Sequence, residues 1–153
     1  MNPRTKRILI AAGLAVAVGL IWLLFPRTLD QAMGGDFDRT EVLSVQALLM
    51  SRGESKEVTI DPKDPACQEL LTLLDSRRYV RTPPRQWQEI TLAYHVILAF
   101  GTEGADHCMD FTGDDGMRFY GSHVRDRWFR TPGGEDFQQE ILDLLLAQPH
   151  TVE

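Results

Sequence analysis

The sequence predicts an α+β protein: an N-terminal transmembrane helix, then an antiparallel sheet of about five or six strands with two helices packed on one face. Three observations predict it: residues 8–25 are uninterruptedly apolar, several later segments alternate apolar and polar residues, and two segments repeat apolar residues at helical spacing. The chain divides into a basic cytoplasmic tail at 1–7, the membrane segment, a stalk at 26–39, a folded domain at 40–148 and a polar tail at 149–153.

The apolar stretch from Ile8 to Phe25 contains no charged and no strongly polar side chain. As a helix, its 18 residues would rise about 27 Å, close to the hydrocarbon thickness of a bilayer. A helix that is apolar on all sides at the extreme amino terminus is rarely part of a water-soluble core. We therefore expect residues 8–25 to contact the membrane.

The charges around this stretch predict its orientation. Arg4, Lys6 and Arg7 precede it, whereas all 22 acidic residues follow it. The positive-inside rule then places the amino terminus in the cytoplasm and the C-terminal domain outside, as in a single-pass protein of the cell membrane. We expect an uncleaved signal anchor, because the run is long and residues 30–32, Asp-Gln-Ala, put Asp where a cleavage site needs a small residue. A cleaved signal peptide is the alternative.

Residues 26–39 contain paired glycines and acidic residues but little periodicity. They predict a short flexible stalk between the membrane and the domain.

Alternation of apolar and polar residues predicts the strands of the domain. The strongest pattern is Trp87–Phe100, where Val96, Leu98 and Phe100 share the apolar parity and His95 the polar one. Glycine-rich segments at 101–106 and 113–116 predict a loop and a tight turn. The remaining predicted strands are Glu41–Met50, Glu57–Asp61, a short one at Tyr79–Thr82, His107–Thr112, and Met117–His123 with Arg127–Thr131 as two strands or one bent strand.

Two segments have the signals of amphipathic helices. Pro65–Arg77 begins after Asp64, which can accept the first free amide hydrogens, and Pro65 suits the first helical position. Glu135–Ala147 carries an apolar stripe and acidic residues in its first turn.

The two cysteines, Cys67 and Cys108, would lie outside the membrane, where disulfides persist. A bridge would tie the first helix of the domain to a middle strand. The alternative is two free thiols, because Cys67 belongs to the apolar helix stripe and Cys108 has the parity opposite to Met109 and Phe111.

Asp106, Cys108 and Asp110 would share a strand face and could converge, but no ligand spacing typical of zinc or calcium sites is present. We therefore expect no metal site and no cofactor.

Arginines near the C-terminus form a candidate anion-binding site. Arg125, Arg127 and Arg130 interleave with Trp128 and Phe129, and arginine beside aromatic rings can bind anions. The alternative is a solvated strand face. The acidic balance of the chain, with a net charge of −6, argues against a nucleic-acid partner.

Residues 56–147 resemble a known family, on the segments EVTIDPKDPACQELLTLL, WQEITLAYHV, CMDFTGDDGMRFY and WFRTPGGEDFQQEILDLLL. This family comprises small, single-anchor extracytoplasmic proteins of Gram-positive bacteria built on a domain of unknown function. The resemblance implies an anchored domain outside the cell and assigns no functional residue.

The sequence therefore predicts a non-enzymatic, membrane-anchored binding or accessory domain that contacts a membrane protein or an envelope component. The alternative is a cell-envelope hydrolase that uses the polar sheet face around His95, Cys108 and Asp110. We expect no separate catalytic motif, because no nucleophile elbow or comparable signature is present.

Overall fold

The computed structural model describes residues 2–34, 37–84, 93–113, 115–122 and 124–152. Within these residues, the protein has four α-helices and one antiparallel sheet of eight strands, so the α+β class is confirmed. The helices are α1 Pro3–Leu24, α2 Leu29–Met33, α3 Pro65–Asp75 and α4 Gly134–Leu146, with a 3-10 turn at Arg39–Glu41. The strands are β1 Ser44–Ser51, β2 Glu54–Ile60, β3 Val80–Arg81, β4 His95–Thr102, β5 Ala105–Phe111, β6 Gly116–Gly121, β7 Val124–Arg130 and β8 His150–Val152.

The strands lie side by side in the order β3-β7-β6-β5-β4-β1-β2-β8. The prediction of five or six strands is too low, because β6 and β7 are two separate strands and β8 occupies one edge, while β3 at the other edge matches the short strand predicted at Tyr79–Thr82. The described part of the predicted polar tail contains β8, which pairs with β2. A strand of three residues is too short to show an alternating pattern, so the sequence does not predict β8.

Two hairpins form the middle of the sheet. In the predicted hairpin of β1 and β2, Val45 lies opposite Ile60, and the turn contains Gly53 with a φ of +92°. The loop expected at 101–106 is wrong, because β4 continues to Thr102 and β5 begins at Ala105. Glycine content suggested a longer loop than the two-residue turn that the chain makes.

One face of the sheet, here called the buried face, supplies much of the hydrophobic core. Val96, Leu98 and Phe100 on β4 are fully buried, as their parity predicts. In the described part of the segment predicted as a strand at Trp87–Phe100, residues 93–94 form a bend and β4 begins at His95; the predicted residues 87–92 lie outside the described part of the chain.

Helices α3 and α4 each contribute one buried side to the same core. The carboxylate of Asp64 accepts a hydrogen bond from the Ala66 amide at 2.8 Å, as expected of an N-cap, and α3 ends at Asp75. On α4, the ring of Phe137 contacts that of Phe111 on β5, with 6.5 Å between centroids. The two helices also contact each other.

The described part of the segment expected to be a flexible stalk, residues 26–34 and 37–39, contributes instead to the folded domain. Leu29, Met33 and Phe37 lie in the core. Helix α2 begins with a capping box at Thr28. The backbone of Arg27 forms an isolated bridge with Tyr79. The prediction failed because this apolar spacing covers barely one helical turn, too short to register as periodic.

Helix α1 is 22 residues long, has a mean hydropathy of 2.3 over its most apolar 18 residues, and none of that window is buried by the domain. It is long and apolar enough to cross a membrane, and a signal sequence would have the same features. Asn2 caps its start by accepting a hydrogen bond from the Arg4 amide.

Candidate functional site

The polar residues predicted on the central strand lie on the face opposite to the buried face, here called the second face. In antiparallel sheets, directly opposed residues lie on the same side, so the register defines its members. Two neighbouring rows of cross-strand partners lie on it: Ile97, Asp110, Arg118 and Trp128, and beside them Ala99, Cys108 and Tyr120.

His95 and Asp110 are brought together on this second face. The Nε2 atom of His95 lies 2.6 Å from Oδ1 of Asp110, within hydrogen-bond distance. Asp110 is only 3 % exposed, so this carboxylate is held in a largely water-excluded environment. A carboxylate hydrogen-bonded to an imidazole fixes the orientation and tautomer of the ring, and this arrangement suits a general base as well as a purely structural pair.

Cys108 lies too far along the sheet to complete this pair. It is opposite Ala99, four positions along β4 from His95, which corresponds to about 13 Å of extended strand. Burial raises the pKa of the Cys108 thiol, the charge of Asp106 raises it further, and a hydrogen bond with Tyr120 acts in the opposite direction. The thiol is therefore protonated at neutral pH, unlike an activated nucleophile.

The candidate disulfide between Cys67 and Cys108 is not formed. Both cysteines are free, so the alternative of two thiols is the one that the structure contains. Cys67 is 1 % exposed on the core side of α3, whereas Cys108 lies on the second face. Cysteines on opposite sides of a sheet are not placed for the short sulfur–sulfur distance of a bridge.

Arg118 is the centre of an aromatic and charged cluster on the second face. Its Nε donates a hydrogen bond to Oδ2 of Asp126 at 3.1 Å, and its Nη2 contacts the same oxygen. Its guanidinium also lies over the rings of Tyr120 and Trp128, at 4.9 and 5.8 Å from their centroids. These contacts make a rigid polar and aromatic surface from three side chains of β6 and β7 and their acidic partner.

The three arginines of the candidate anion site are not all on one side of the sheet. Arg127 lies opposite Phe119, a core residue, whereas Arg130 lies opposite Gly116. Alternation along β7 therefore directs Arg127 and Arg130 to opposite faces. The register of β6 and β7 shifts between Phe119 and Gly121, next to Arg125.

A second group of arginines, Arg27 and Arg81, lies where α1 joins the domain, and the sequence did not predict their proximity. The guanidinium carbons of Arg27 and Arg81 lie 4.9 and 5.6 Å from the ring centroid of Trp22, near the end of α1. Burial lowers the pKa of Arg27, and the positive charges of Arg81 and Arg127 lower it further. A tryptophan at the end of an apolar helix was the available signal, since it marks a membrane interface.

A groove of about 850 Å³ runs between the outer sides of α3 and α4. Leu73 and Leu144 form apolar parts of its wall, and Glu69, Glu140 and Asp143 are among its acidic residues. The groove is shallow and carries no cluster of groups with obvious chemistry.

Metal coordination has no candidate in the described part of the chain, where no group of three or more His, Cys, Asp or Glu residues could hold an ion. Asp106, Cys108 and Asp110 share the second face, as their parity predicts, but they do not form such a group.

Comparisons with protein-family models, with curated proteins and with solved structures found no match to this chain. The resemblance of residues 56–147 to small anchored extracytoplasmic proteins therefore stays a prediction from the sequence.

Proposed function

We propose that this protein is a membrane-anchored extracytoplasmic binding or accessory domain without catalytic activity. In this proposal α1 is an uncleaved single-pass anchor, the amino terminus is cytoplasmic, and α3 and α4 cover one face of the sheet outside the cell. The observation that carries the proposal is the junction: α1 ends at Leu24, and Arg27 is already hydrogen-bonded to Tyr79 at the sheet edge.

The exposure of α1 supports insertion into a membrane. Large apolar side chains such as Ile8, Ile21 and Trp22 are each more than half exposed, and no residue in the most apolar part of α1 is buried by the domain. Each such side chain gains about 1.5–3 kcal/mol on leaving water, so an apolar phase is the favourable environment for the whole helix. The basic residues before the helix and the acidic excess after it support the orientation.

The second face of the sheet is the surface that we propose for contact with a membrane protein or an envelope component. Tyr120 and Trp128 are only partly buried there and are held in place by Arg118. Aromatic and arginine side chains with fixed geometry are the residue types that dominate recognition surfaces.

Cysteine labelling tests the anchor and its orientation. Thr59→Cys, exposed on β2, and Thr5→Cys, exposed before the apolar stretch, are made in the full chain with Cys67→Ala and Cys108→Ser. In intact cells, a membrane-impermeant maleimide is expected to modify position 59 only, and both positions after permeabilisation. Labelling of position 5 alone in intact cells would indicate the opposite orientation. A mature protein that starts near residue 30, as found by mass spectrometry, would show that α1 is a cleaved signal peptide and not an anchor.

Site-specific crosslinking tests the binding role. A photo-reactive amino acid at position 128, on the second face, is expected to yield a discrete adduct in cells, whereas the same group at Arg52 in the β1–β2 turn is not. Equal adducts from both positions would contradict recognition through the second face.

A cell-envelope hydrolase that uses His95, Cys108 and Asp110 is the second candidate, and the hydrogen bond between His95 and Asp110 is the observation that favours it. Its test is the release of soluble fragments from isolated envelope by the purified full chain. Activity that Cys108→Ser abolishes would support the hydrolase and contradict the binding proposal. Activity unchanged by Cys108→Ser but lost in Asp110→Asn would require a nucleophile other than the thiol.

A further inference from the structure

The three arginines at the junction, Arg27, Arg81 and Arg127, form one positively charged cluster, here called the junction cluster. Arg81 on β3 lies opposite Phe129 on β7, so Arg127, two residues away on the same strand, is its diagonal neighbour on the same side of the sheet. Burial lowers the pKa of Arg27, and the positive charges of Arg81 and Arg127 lower it further. The cluster therefore combines residues from three separate parts of the chain.

Among the described residues, none of the three guanidinium groups of the junction cluster forms an ion pair with a carboxylate, whereas Arg39, Arg77 and Arg118 each form one. Like charges placed this close together repel one another. An anion from outside the chain would remove this repulsion, and the fork of an arginine matches the oxygen atoms of a phosphate.

A recess beside the junction cluster is lined by apolar side chains on one side and by polar side chains on the other, as a site for a lipid requires. Its volume is about 530 Å³. Val18, Ile21 and Phe25 of the α1 end supply an apolar wall, while Arg27 and Gln31 supply polar groups at its domain side. From α1 to the segment that follows it, apolar groups and then a cationic group line the recess, in the order in which a phospholipid presents its chains and its headgroup.

We propose that the junction cluster binds the headgroup of one anionic phospholipid, whose acyl chains lie along Val18, Ile21 and Phe25 in the leaflet next to the domain. This proposal rests on the proposed membrane insertion of α1, but it holds for either orientation of the helix. The ring of Trp22 contacts the guanidinium groups of both Arg27 and Arg81 and so helps to position them. A bound lipid would fix the domain against the membrane at a defined rotation.

Native mass spectrometry of the full chain, released from nanodiscs of equimolar phosphatidylglycerol and phosphatidylcholine, tests the proposal. We expect the protein to retain phosphatidylglycerol in preference to phosphatidylcholine. Each of Arg27→Gln, Arg81→Gln and Arg127→Gln should weaken that preference about fivefold, since one arginine near an anionic headgroup contributes about 1 kcal/mol. The matched control is Arg52→Gln, which removes one exposed arginine in the β1–β2 turn, outside the cluster, and should leave the preference unchanged.

Equal retention of the two lipids by the wild-type protein, or an equal loss in the control and cluster variants, would overturn the proposal. A second experiment adds inorganic phosphate to distinguish a lipid headgroup from a soluble anion. If phosphate displaces the retained lipid, or raises the unfolding temperature in pure phosphatidylcholine nanodiscs as much as phosphatidylglycerol does, then the ligand is a soluble anion and the lipid assignment is wrong. Failure of the wild-type chain to enter nanodiscs of any composition would instead contradict the proposed anchor.

Discussion

Arg27 and Tyr79 exchange two backbone hydrogen bonds, each 2.9 Å long, although 51 residues separate them in the sequence. This bridge attaches the segment after α1 to the start of β3. Tyr79 is itself fully buried, and its hydroxyl donates a hydrogen bond to the Leu74 carbonyl at 2.7 Å. The junction between the apolar helix and the domain is therefore held by a residue of the core.

Replacement of Tyr79 by Phe should destabilise the domain by about 1–2 kcal/mol, because the aromatic ring stays in place while the Leu74 carbonyl loses its donor. Urea unfolding of the full chain in detergent micelles, followed by near-UV circular dichroism, measures this difference. Thr59→Ala, at an exposed position on β2, is the control and should change the midpoint little.

The stability difference between the wild-type protein and Tyr79→Phe should depend on pH. Burial raises the pKa of Tyr79 far above that of an ordinary tyrosine. The folded state therefore keeps the phenol protonated, and the stability from this residue is fully present below the unfolded pKa of about 10 and falls as the pH rises above it. The difference between wild-type and Tyr79→Phe should shrink between pH 9 and about 11. A constant difference would contradict the burial of this hydroxyl.

Leu29→Ala tests whether the segment after α1 belongs to the domain. Leu29 is fully buried in α2, and truncation of a core leucine to alanine costs about 2–5 kcal/mol. Asp30→Asn, one residue further and exposed, should cost well under 1 kcal/mol. Equal stabilities of the two variants would mean that residues 26–39 behave as the flexible stalk that the sequence predicted.

Gly121→Ala should destabilise the domain markedly. A Cβ atom at Gly121 would lie 2.2 Å from the backbone oxygen of Asp106, so β5 and β6 would have to separate locally. Gly19→Ala in α1, where an added Cβ meets no atom within 4 Å, adds the same methyl group and serves as the control. A Gly121→Ala midpoint equal to that of Gly19→Ala would contradict the close approach of the two strands.

Thiol chemistry tests both cysteines. Burial is the main cause of the raised pKa of each thiol, so both should react with iodoacetamide more slowly at pH 8 than a free cysteine, and faster as the pH rises. Cys108, which is partly exposed, should react before the buried Cys67. Peptide mapping of the native full chain without reductant measures the rates. Two unreactive cysteines that react only after reduction would indicate a disulfide.

The sequence predicted those parts of the fold that local patterns encode. Asp64 and Pro65 indicated the start of α3, and the parity of Val96, Leu98 and Phe100 identified the buried side of β4. Residues 101–106 were predicted wrongly, because glycine allows a turn without requiring a long one. The burial of Leu29 and Phe37 depends on contacts with distant strands, which one sequence does not show.

The candidate sites depended on pairing between strands, and the sequence predicted them less well. Parity placed His95 and Asp110 on one face, and the structure brings them into contact. Parity could not place Arg81 next to Arg127, because that requires β3 to lie beside β7 at the edge of the sheet. Nothing local in the sequence specifies that order of strands.

Helix α1 is attached at one edge of the sheet, so the order of the strands determines how far each strand lies from α1. Strand β3, at one edge, lies next to α1, and β8 forms the opposite edge. Seven spacings of about 4.8 Å separate these edges, which gives about 34 Å along the sheet. With only Phe25 and Pro26 between α1 and the bridge at Arg27, the domain has little slack. The strands therefore lie at increasing distances from the end of α1, and a partner bound at β8 would lie farther from that end than one bound at β7.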